Sequence, residues 1–350
     1  MKALIAMSGG VDSSVAAYLM KGYDRIGCTM RLFENEEEKQ SSPNSCCSLE
    51  DVDDARAVCQ RLSIPYYVFN FKEDFEEKII ARFISSYRRG KTPNPCIDCN
   101  KYMKFEKLMQ RADELLCDLI VTGHYARVEK DGEKYLLKKA KDPSKDQSYV
   151  LYSLTQEQLR RIRFPLGEYT KDEVRKIAEE NGFVNAHKKD SQDICFVPDG
   201  DYASFIEKHI GKVQTGDFLL SSGEKVGEHK GIVHYTVGQR KHLGIALGRP
   251  IFVTKVDAEH NIVYLGDNDE LYSGECIAQH FNWTLGEAPD SKVVCTVKTR
   301  YRQKEVGAVA YPLEDGSVRI VFDTPIRAVT PGQAAVLYDG DIVLGGGEIV

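Results

Sequence analysis

Short apolar runs alternate with helical patterns through the first half of the chain. An apolar run at 3–7 breaks at Ser8-Gly9-Gly10-Val11-Asp12-Ser13-Ser14 and resumes at 15–20, which predicts a strand, a glycine turn and a helix. The alternation continues through 24–30, 49–62, 66–71, 75–87, 105–116 and 119–122, with further helical patterns at 156–163 and 171–181. Strands separated by helices imply βαβ units and a parallel sheet covered on both faces. Ligands of such sheets sit beyond the carboxyl ends of the strands, where Ser8 to Ser13 and Gly123-His124 fall. Polar residues 34–44 predict a flexible loop near the same edge. The texture changes around Asp201, and from Lys212 the chain is glycine-rich, with short alternating strands and turns at Thr215-Gly216-Asp217 and Gly227-Glu228-His229-Lys230-Gly231. Runs at 293–297, 318–322 and 334–338, separated by turn signals, predict a closing antiparallel barrel. The expected division is an α/β catalytic domain over 1–205, a small, mostly β central domain over 206–272 and a C-terminal antiparallel β-barrel over 273–350.

A chain of 350 residues holds two or three such cores. Its net charge of −6 argues against non-specific attraction to nucleic acid, so an RNA partner must be met by local basic patches. Such patches occur at Arg88-Arg89 with Lys91, Lys188-Lys189, Arg240-Lys241, and Lys298, Arg300, Arg302 and Lys304. No signal peptide or membrane span is visible, and the expectation is a cytoplasmic monomer. Ten cysteines in a cytoplasmic chain are not a disulfide framework. Cys28, Cys59, Cys117, Cys276 and Cys295 lie in apolar contexts and read as small buried hydrophobes. Cys46, Cys47, Cys96, Cys99 and Cys195 lie among turn residues and need another explanation.

Two glycines after a buried strand let the backbone approach a ligand, and the following helix offers unpaired N–H groups to an anion. The glycine spacing and the lack of a following Lys exclude a Walker A loop. Asp12 would repel a phosphate unless a magnesium ion bridged the two. Ser-Gly-Gly-x-Asp-Ser resembles the PP-loop of the ATP pyrophosphatases, which implies cleavage of ATP between its α and β phosphates and adenylation of a carbonyl oxygen.

The second chemical signal is Thr92-Pro93-Asn94-Pro95-Cys96-Ile97-Asp98-Cys99-Asn100-Lys101, after which the pattern from 100 to 110 turns helical. Cys99 is therefore expected near a helix N-terminus, where the dipole and nearby Lys101 and Lys104 would favour its thiolate. The third signal is Cys195, which follows Lys188-Lys189 in Asp190-Ser191-Gln192-Asp193-Ile194-Cys195-Phe196. C-x-x-C also suits zinc, with Cys46, Cys47 or Cys195 as further ligands, but adjacent cysteines chelate awkwardly and no second C-x-x-C or H-x-H follows.

These segments, with Thr122-Gly123-His124-Tyr125, Lys145-Asp146-Gln147-Ser148-Tyr149, Gly238-Gln239-Arg240, Thr299-Arg300-Tyr301-Arg302 and Thr330-Pro331-Gly332-Gln333, resemble the MnmA-type tRNA 2-thiouridylases in the same order over the whole chain. The resemblance implies an N-terminal domain of adenine nucleotide α-hydrolase type, and a tRNA whose wobble uridine is flipped toward the site. The uridine 2-oxygen would be adenylated with ATP and Mg2+, and a persulfide sulfur would displace AMP. By motif, Ala6, Met7, Ser8, Gly9, Gly10, Val11, Asp12, Ser13, Met30 and Gly123 would hold ATP. Cys195 would carry the persulfide and Cys99 would be its thiolate partner, the two forming a disulfide after release. Asn94, Pro95 and Cys96 would face the target base, while His124, Lys145, Asp146, Gln147, Arg300, Tyr301 and Gln333 would touch tRNA. The implied tRNAs are those for Lys, Glu and Gln, and the implied sulfur donor is a cysteine desulfurase, a relay protein or free sulfide.

Many members of that family carry Asp where this chain has Cys96. Three thiols, Cys96, Cys99 and Cys195, could instead hold a [4Fe-4S] cluster with one iron open to sulfide. The persulfide and cluster routes use the same residues, and the sequence leaves both open. Two other classes share the PP-loop reading: an amidating ligase, which would need an ammonia source, and a tRNA-binding protein that holds ATP as a structural ligand. Nothing in the chain resembles a glutaminase domain.

Overall fold

The structure is a computed structural model that describes residues 1–33, 49–188, 194–197 and 199–350. The expected loop at 34–44, Cys46, Cys47, Lys189 and 190–193 lie outside the described residues. The N-terminal strands are β1 (Lys2–Ala6), β2 (Asp24–Arg31), β3 (Tyr66–Asn70), β4 (Leu119–Val121) and, after a hairpin of β5 (Arg127–Asp131) and β6 (Lys134–Lys138), β7 (Ile162–Arg163). Around them run α1 (Val11–Leu19), α2 (Leu49–Arg61), α3 (Ala81–Arg88), α4 (Pro95–Asp98), α5 (Leu108–Glu114), α6 (Gln156–Arg161) and α7 (Lys171–Glu180).

Strands β3-β2-β1-β4-β7 form one parallel sheet in that order. Strand β1 is central, so both of its faces must be apolar. Ala3 and Ile5 pack with Val11, Val15, Ala55, Val174 and Ala178 on one side. Leu4 packs with Ile26, Cys28, Leu108, Ala112 and Ile120 on the other. The chain moves outward from β1 to β3 and then returns to the far side of β1 with β4. That reversal opens a crevice beyond the carboxyl ends of β1 and β4, where a doubly wound sheet binds its ligand.

The second unit begins with α8 (Tyr202–Ile210) and carries β8 (Gly216–Leu220), β9 (Lys225–His229), β10 (Phe252–Asp257) and β11 (Ile262–Gly266), ordered β10-β11-β8-β9 around Phe218, Tyr235, Val253 and Val263. The third contains β12 (Tyr272–Trp283), β13 (Val293–Lys298), β14 (Val306–Pro312), β15 (Val318–Arg327), β16 (Ala334–Asp339) and β17 (Ile342–Ile349). Their order, β12-β15-β14-β13-β16-β17, closes through antiparallel pairing of β12 with β17. The chain is thus α/β followed by a small β unit and an antiparallel barrel.

Two features join these units. Strand β6 pairs with β17 at Lys138 and Ile342, so the hairpin extends the barrel sheet. Beneath it, Leu137, Tyr149, Val150, Leu151, Leu159 and Ile162 share one core with barrel residues Ala334, Val336, Tyr338 and Val343. Thr92 touches all three units: its N–H donates to Pro331 O at 2.8 Å, its carbonyl accepts from Gln333 Nε2 at 2.7 Å, and its hydroxyl lies 3.0 Å from that of Thr236. Among the described residues, no helix is long and apolar enough to cross a membrane.

Candidate active site

The turn between β1 and α1 is built on close backbone approaches. Gly9 has φ +73°, and a Cβ there would lie 2.5 Å from the carbonyl oxygen of Asp51 at the start of α2. Gly123, just beyond β4, comes so near α1 that a Cβ would lie 2.8 Å from Ser13 N and 2.9 Å from the Asp12 carbonyl carbon. These contacts bring the two expected nucleotide segments together at the crevice. Gly10 is the N-cap of α1 and supplies no side-chain cap, so the first-turn N–H groups remain available to an anion. Ser13 Oγ accepts from Ser8 N at 3.1 Å and donates to Gly10 O at 3.0 Å, which folds the turn onto the helix. Behind it, Ala6 ends β1, buried Met7 donates to Cys28 O at 2.7 Å, and buried Val11 opens α1.

Asp12, the second residue of α1, has specific partners. Lys171 Nζ donates to its two carboxylate oxygens at 2.7 and 2.8 Å, and Tyr125 OH donates to Oδ1 at 2.8 Å. Two further groups from beyond α7 brace the turn and the neighbouring start of α2. Asn185 Nδ2 donates to Gly9 O at 2.8 Å and to Ser14 Oγ at 2.9 Å. Lys188 Nζ bonds Asp51 at 2.8 Å and Asp54 at 2.7 Å. Burial opposes the Lys188 charge, but the two carboxylates outweigh it and raise its pKa. Sequence reasoning gave Lys171, Asn185 and Lys188 no role at the turn. One signal was readable: Lys171 follows a Thr170 cap and so places a cation at the positive end of a helix, against the macrodipole.

The cysteine segment departs from expectation in its helix start. Asn94 caps the helix, its Oδ1 accepting from Cys96 N at 3.1 Å, and Pro95 is the first helical residue. The start is set there because Pro needs no donor and brings a helical φ. Cys96 therefore sits in the first turn and Cys99 one turn later, where the π-helical segment Cys99–Lys107 begins. The dipole argument made for Cys99 belongs to Cys96. Cys96 is exposed, while Cys99 and Cys195 are half-buried.

Cys99 and Cys195 pack against the same apolar cluster of Phe75, Phe83, Met103, Phe196 and Val233, and Met30 near the end of β2 packs against it too. Phe196 anchors the Cys195 turn, with edge contacts to Phe75 at 5.7 Å and Phe83 at 5.3 Å. Both half-buried thiols thus share a cluster with the carboxyl end of β2, the strand beside β1. Among the described residues, no group of three or more His, Cys, Asp and Glu side chains is arranged to hold a metal ion.

The residues expected at tRNA fall into two settings. His124 is buried, its Nδ1 2.6 Å from Thr122 Oγ1, and burial with the nearby Lys104 charge holds its pKa well below the ordinary value. Asp146 accepts from Ala140 N and from Ser148, and Gln147 Oε1 accepts from Tyr125 N at 2.9 Å, so these side chains shape their own loop beside Lys145. One Arg300 nitrogen donates to Val237 O, Ala328 O and Thr330 Oγ1, which staples the central unit to the barrel. Tyr301 lies at the surface with its ring 6.0 Å from that of Tyr149. A cavity of about 190 Å3 between α3, α4 and the barrel brings Asn94 and Gln333 together with Arg82, Ser86, Arg89 and Asp98.

Residues 1–199 match the tRNA methyl transferase HUP domain, 203–267 the tRNA methyl transferase PRC-barrel domain and 273–349 the aminomethyltransferase β-barrel domain. The chain is 52% identical to the tRNA-specific 2-thiouridylase MnmA of Acetivibrio thermocellus, over 99% of each chain. It is 47% identical to the tRNA-specific 2-thiouridylase MnmA of Clostridium beijerinckii, over 99% of this chain and 98% of that one. Among solved structures it resembles the U34-tRNA thiolase NcsA from Methanococcus maripaludis with its [4Fe-4S] cluster, at 19% identity and a TM-score of 0.35, over 60% of this chain and 66% of that one. That likeness is too loose to bear on the sulfur route.

Proposed function

Because the chain belongs to the tRNA-specific 2-thiouridylase MnmA family and is a tRNA sulfurtransferase, we propose that it activates the C2 oxygen of the wobble uridine with ATP and replaces it with sulfur carried by Cys195. The observation that carries this reading is the packing of Cys99, Cys195 and Met30 on one apolar cluster at the end of β2, the strand beside β1. A uridine carbonyl oxygen leaves poorly until it is esterified, so adenylation comes first: the oxygen attacks the α-phosphorus and pyrophosphate departs. The turn from Ser8 to Ser13 suits the phosphates through its uncapped helix N–H groups.

Magnesium fits this turn. The ion takes one or two carboxylates and completes its shell with water and substrate phosphates, and Asp12 offers such a carboxylate. When bound, it neutralises phosphate charge. Asp12 would hold it, and Ser8 and Ser13 supply further oxygen donors in the same turn.

In the sulfur step, the outer sulfur of a Cys195 persulfide attacks C2 and AMP leaves. The Cys99 thiolate then attacks Cys195 Sγ, the S–S bond to the transferred sulfur breaks, and its electron pair stays with the 2-thiouridine. A Cys99–Cys195 disulfide results, and a dithiol reductant returns the two electrons. A desulfurase or relay protein reloads Cys195, and the tRNAs are those for Lys, Glu and Gln.

The test is single-turnover thiolation of unmodified tRNA with ATP, cysteine and a desulfurase, using anaerobically purified protein with its iron counted. Loss of 2-thiouridine in both Cys99→Ser and Cys195→Ser, with pyrophosphate still released and no iron present, is the expected result. Full thiolation by either variant, or activity that tracks bound iron and accepts sulfide, refutes the persulfide route.

A further inference from the structure

We propose that Lys171 is a ligand for the β and γ phosphates of ATP, held by Asp12 until the nucleotide with its magnesium takes that carboxylate. The proposal rests on the ATP reading above.

Three observations carry it. Lys171 is buried, with a side chain 9% exposed, yet its ammonium ends on the one carboxylate of the phosphate turn, at 2.7 and 2.8 Å. A cation buried there is costly without a partner. Second, Lys171 is the first residue of α7, where the helix dipole opposes it. The local sequence does not need a lysine: the helix is already started by the reciprocal bonds of Thr170 and Glu173, and Asp142 accepts from the Lys171 backbone N–H at 3.1 Å. Third, Tyr125 holds the same Asp12 oxygen, and its ring lies 5.9 Å from Nζ. The carboxylate thus stays fixed when its cation partner changes.

Asp12 with Lys171 is a neutral pair, and Asp12 with a divalent ion is a positive one. Exchange of the first for the second turns the ammonium from Asp12 toward the anionic end of ATP. Arrival of the phosphates supplies the charge that Lys171 loses when it leaves Asp12. The contact is made to groups that AMP lacks, and this separates it from a structural role.

Isothermal titration of the full chain with ATP and with AMP, each with Mg2+, tests the exchange. Lys171→Met is expected to weaken ATP about tenfold or more while changing AMP less than about twofold. Lys171→Arg is expected to recover part of the loss. Without nucleotide, Lys171→Met is expected to bind Mn2+ more tightly than the parent by EPR, because its Asp12 has lost the competing ammonium. Asp12→Asn, which breaks the pair from the other side and keeps Lys171, is expected to bind ATP with little response to Mg2+. Equal loss of ATP and AMP in Lys171→Met, or ATP affinity equal to the parent, overturns the proposal. If the parent itself binds no ATP, the underlying ATP reading fails instead.

Discussion

Replacing Gly123 with alanine tests the claim that the crevice depends on one backbone approach. The added Cβ would lie 2.8 Å from Ser13 N, against the 3.4 Å at which ordinary contact begins, so α1 and the β4 exit must part by about 0.6 Å. Neither neighbour is a flexible side-chain end: the nearest atoms are backbone of Ser13 and Asp12. Overpacking of this kind costs about 1–3 kcal/mol. The strain falls at the first turn of α1, so the N–H groups and Asp12 shift together. A misplacement of that size is expected to weaken Mg·ATP binding about tenfold, or ~1.4 kcal/mol. Titration of the variant with a non-hydrolysable ATP analogue measures this, and a melting curve verifies that the domain stays folded. An affinity within twofold of the parent, with an unchanged melt, would refute the close-packing argument.

Three further outcomes are expected. Because the folded His124 ring resists protonation, the unfolded chain binds the additional proton between the depressed value and 6.5, so stability present above pH 6.5 is lost as pH falls; urea midpoints at several pH values should show a shallower slope for His124→Asn. Phe196→Ala removes the ring packed on Phe75 and Phe83, so it should cost about 3–5 kcal/mol locally and speed alkylation of Cys195, with unchanged alkylation refuting the anchor. Asn185→Asp turns a donor to Gly9 O and Ser14 into a buried charge, and it should weaken ATP more than Asn185→Ala does, by titration.

The parallel sheet was legible because β1 to β4 are short apolar strands punctuated by helical periods, and the crevice followed from the topology. The hairpin of β5 and β6 was not legible, since its sequences RVEKD and KYLLK are rich in charge and its pairing with β17 reaches a strand about 200 residues away. The phosphate turn read clearly as local chemistry. Its supports read less clearly: Lys171 stands out only as a cation against the helix dipole, and the hydrogen bond that gives it meaning spans 159 residues. Arg300 and Gln333 show a further limit. Their motifs suggested contact with RNA, yet both also bond backbone across unit boundaries, and sequence alone does not separate those two uses.

The core shared by the N-terminal unit and the barrel also bears on biosynthesis. Leu137, Val150, Leu151 and Ile162 are covered in the finished protein by Val336, Tyr338 and Val343. At synthesis rates of about 5–20 residues per second, the second group emerges from the ribosome roughly ten to forty seconds after the first. During that interval the nascent sheet edge at β6 lacks its partner strand and an apolar face stays open to water. The N-terminal unit therefore completes its fold only after translation of the barrel.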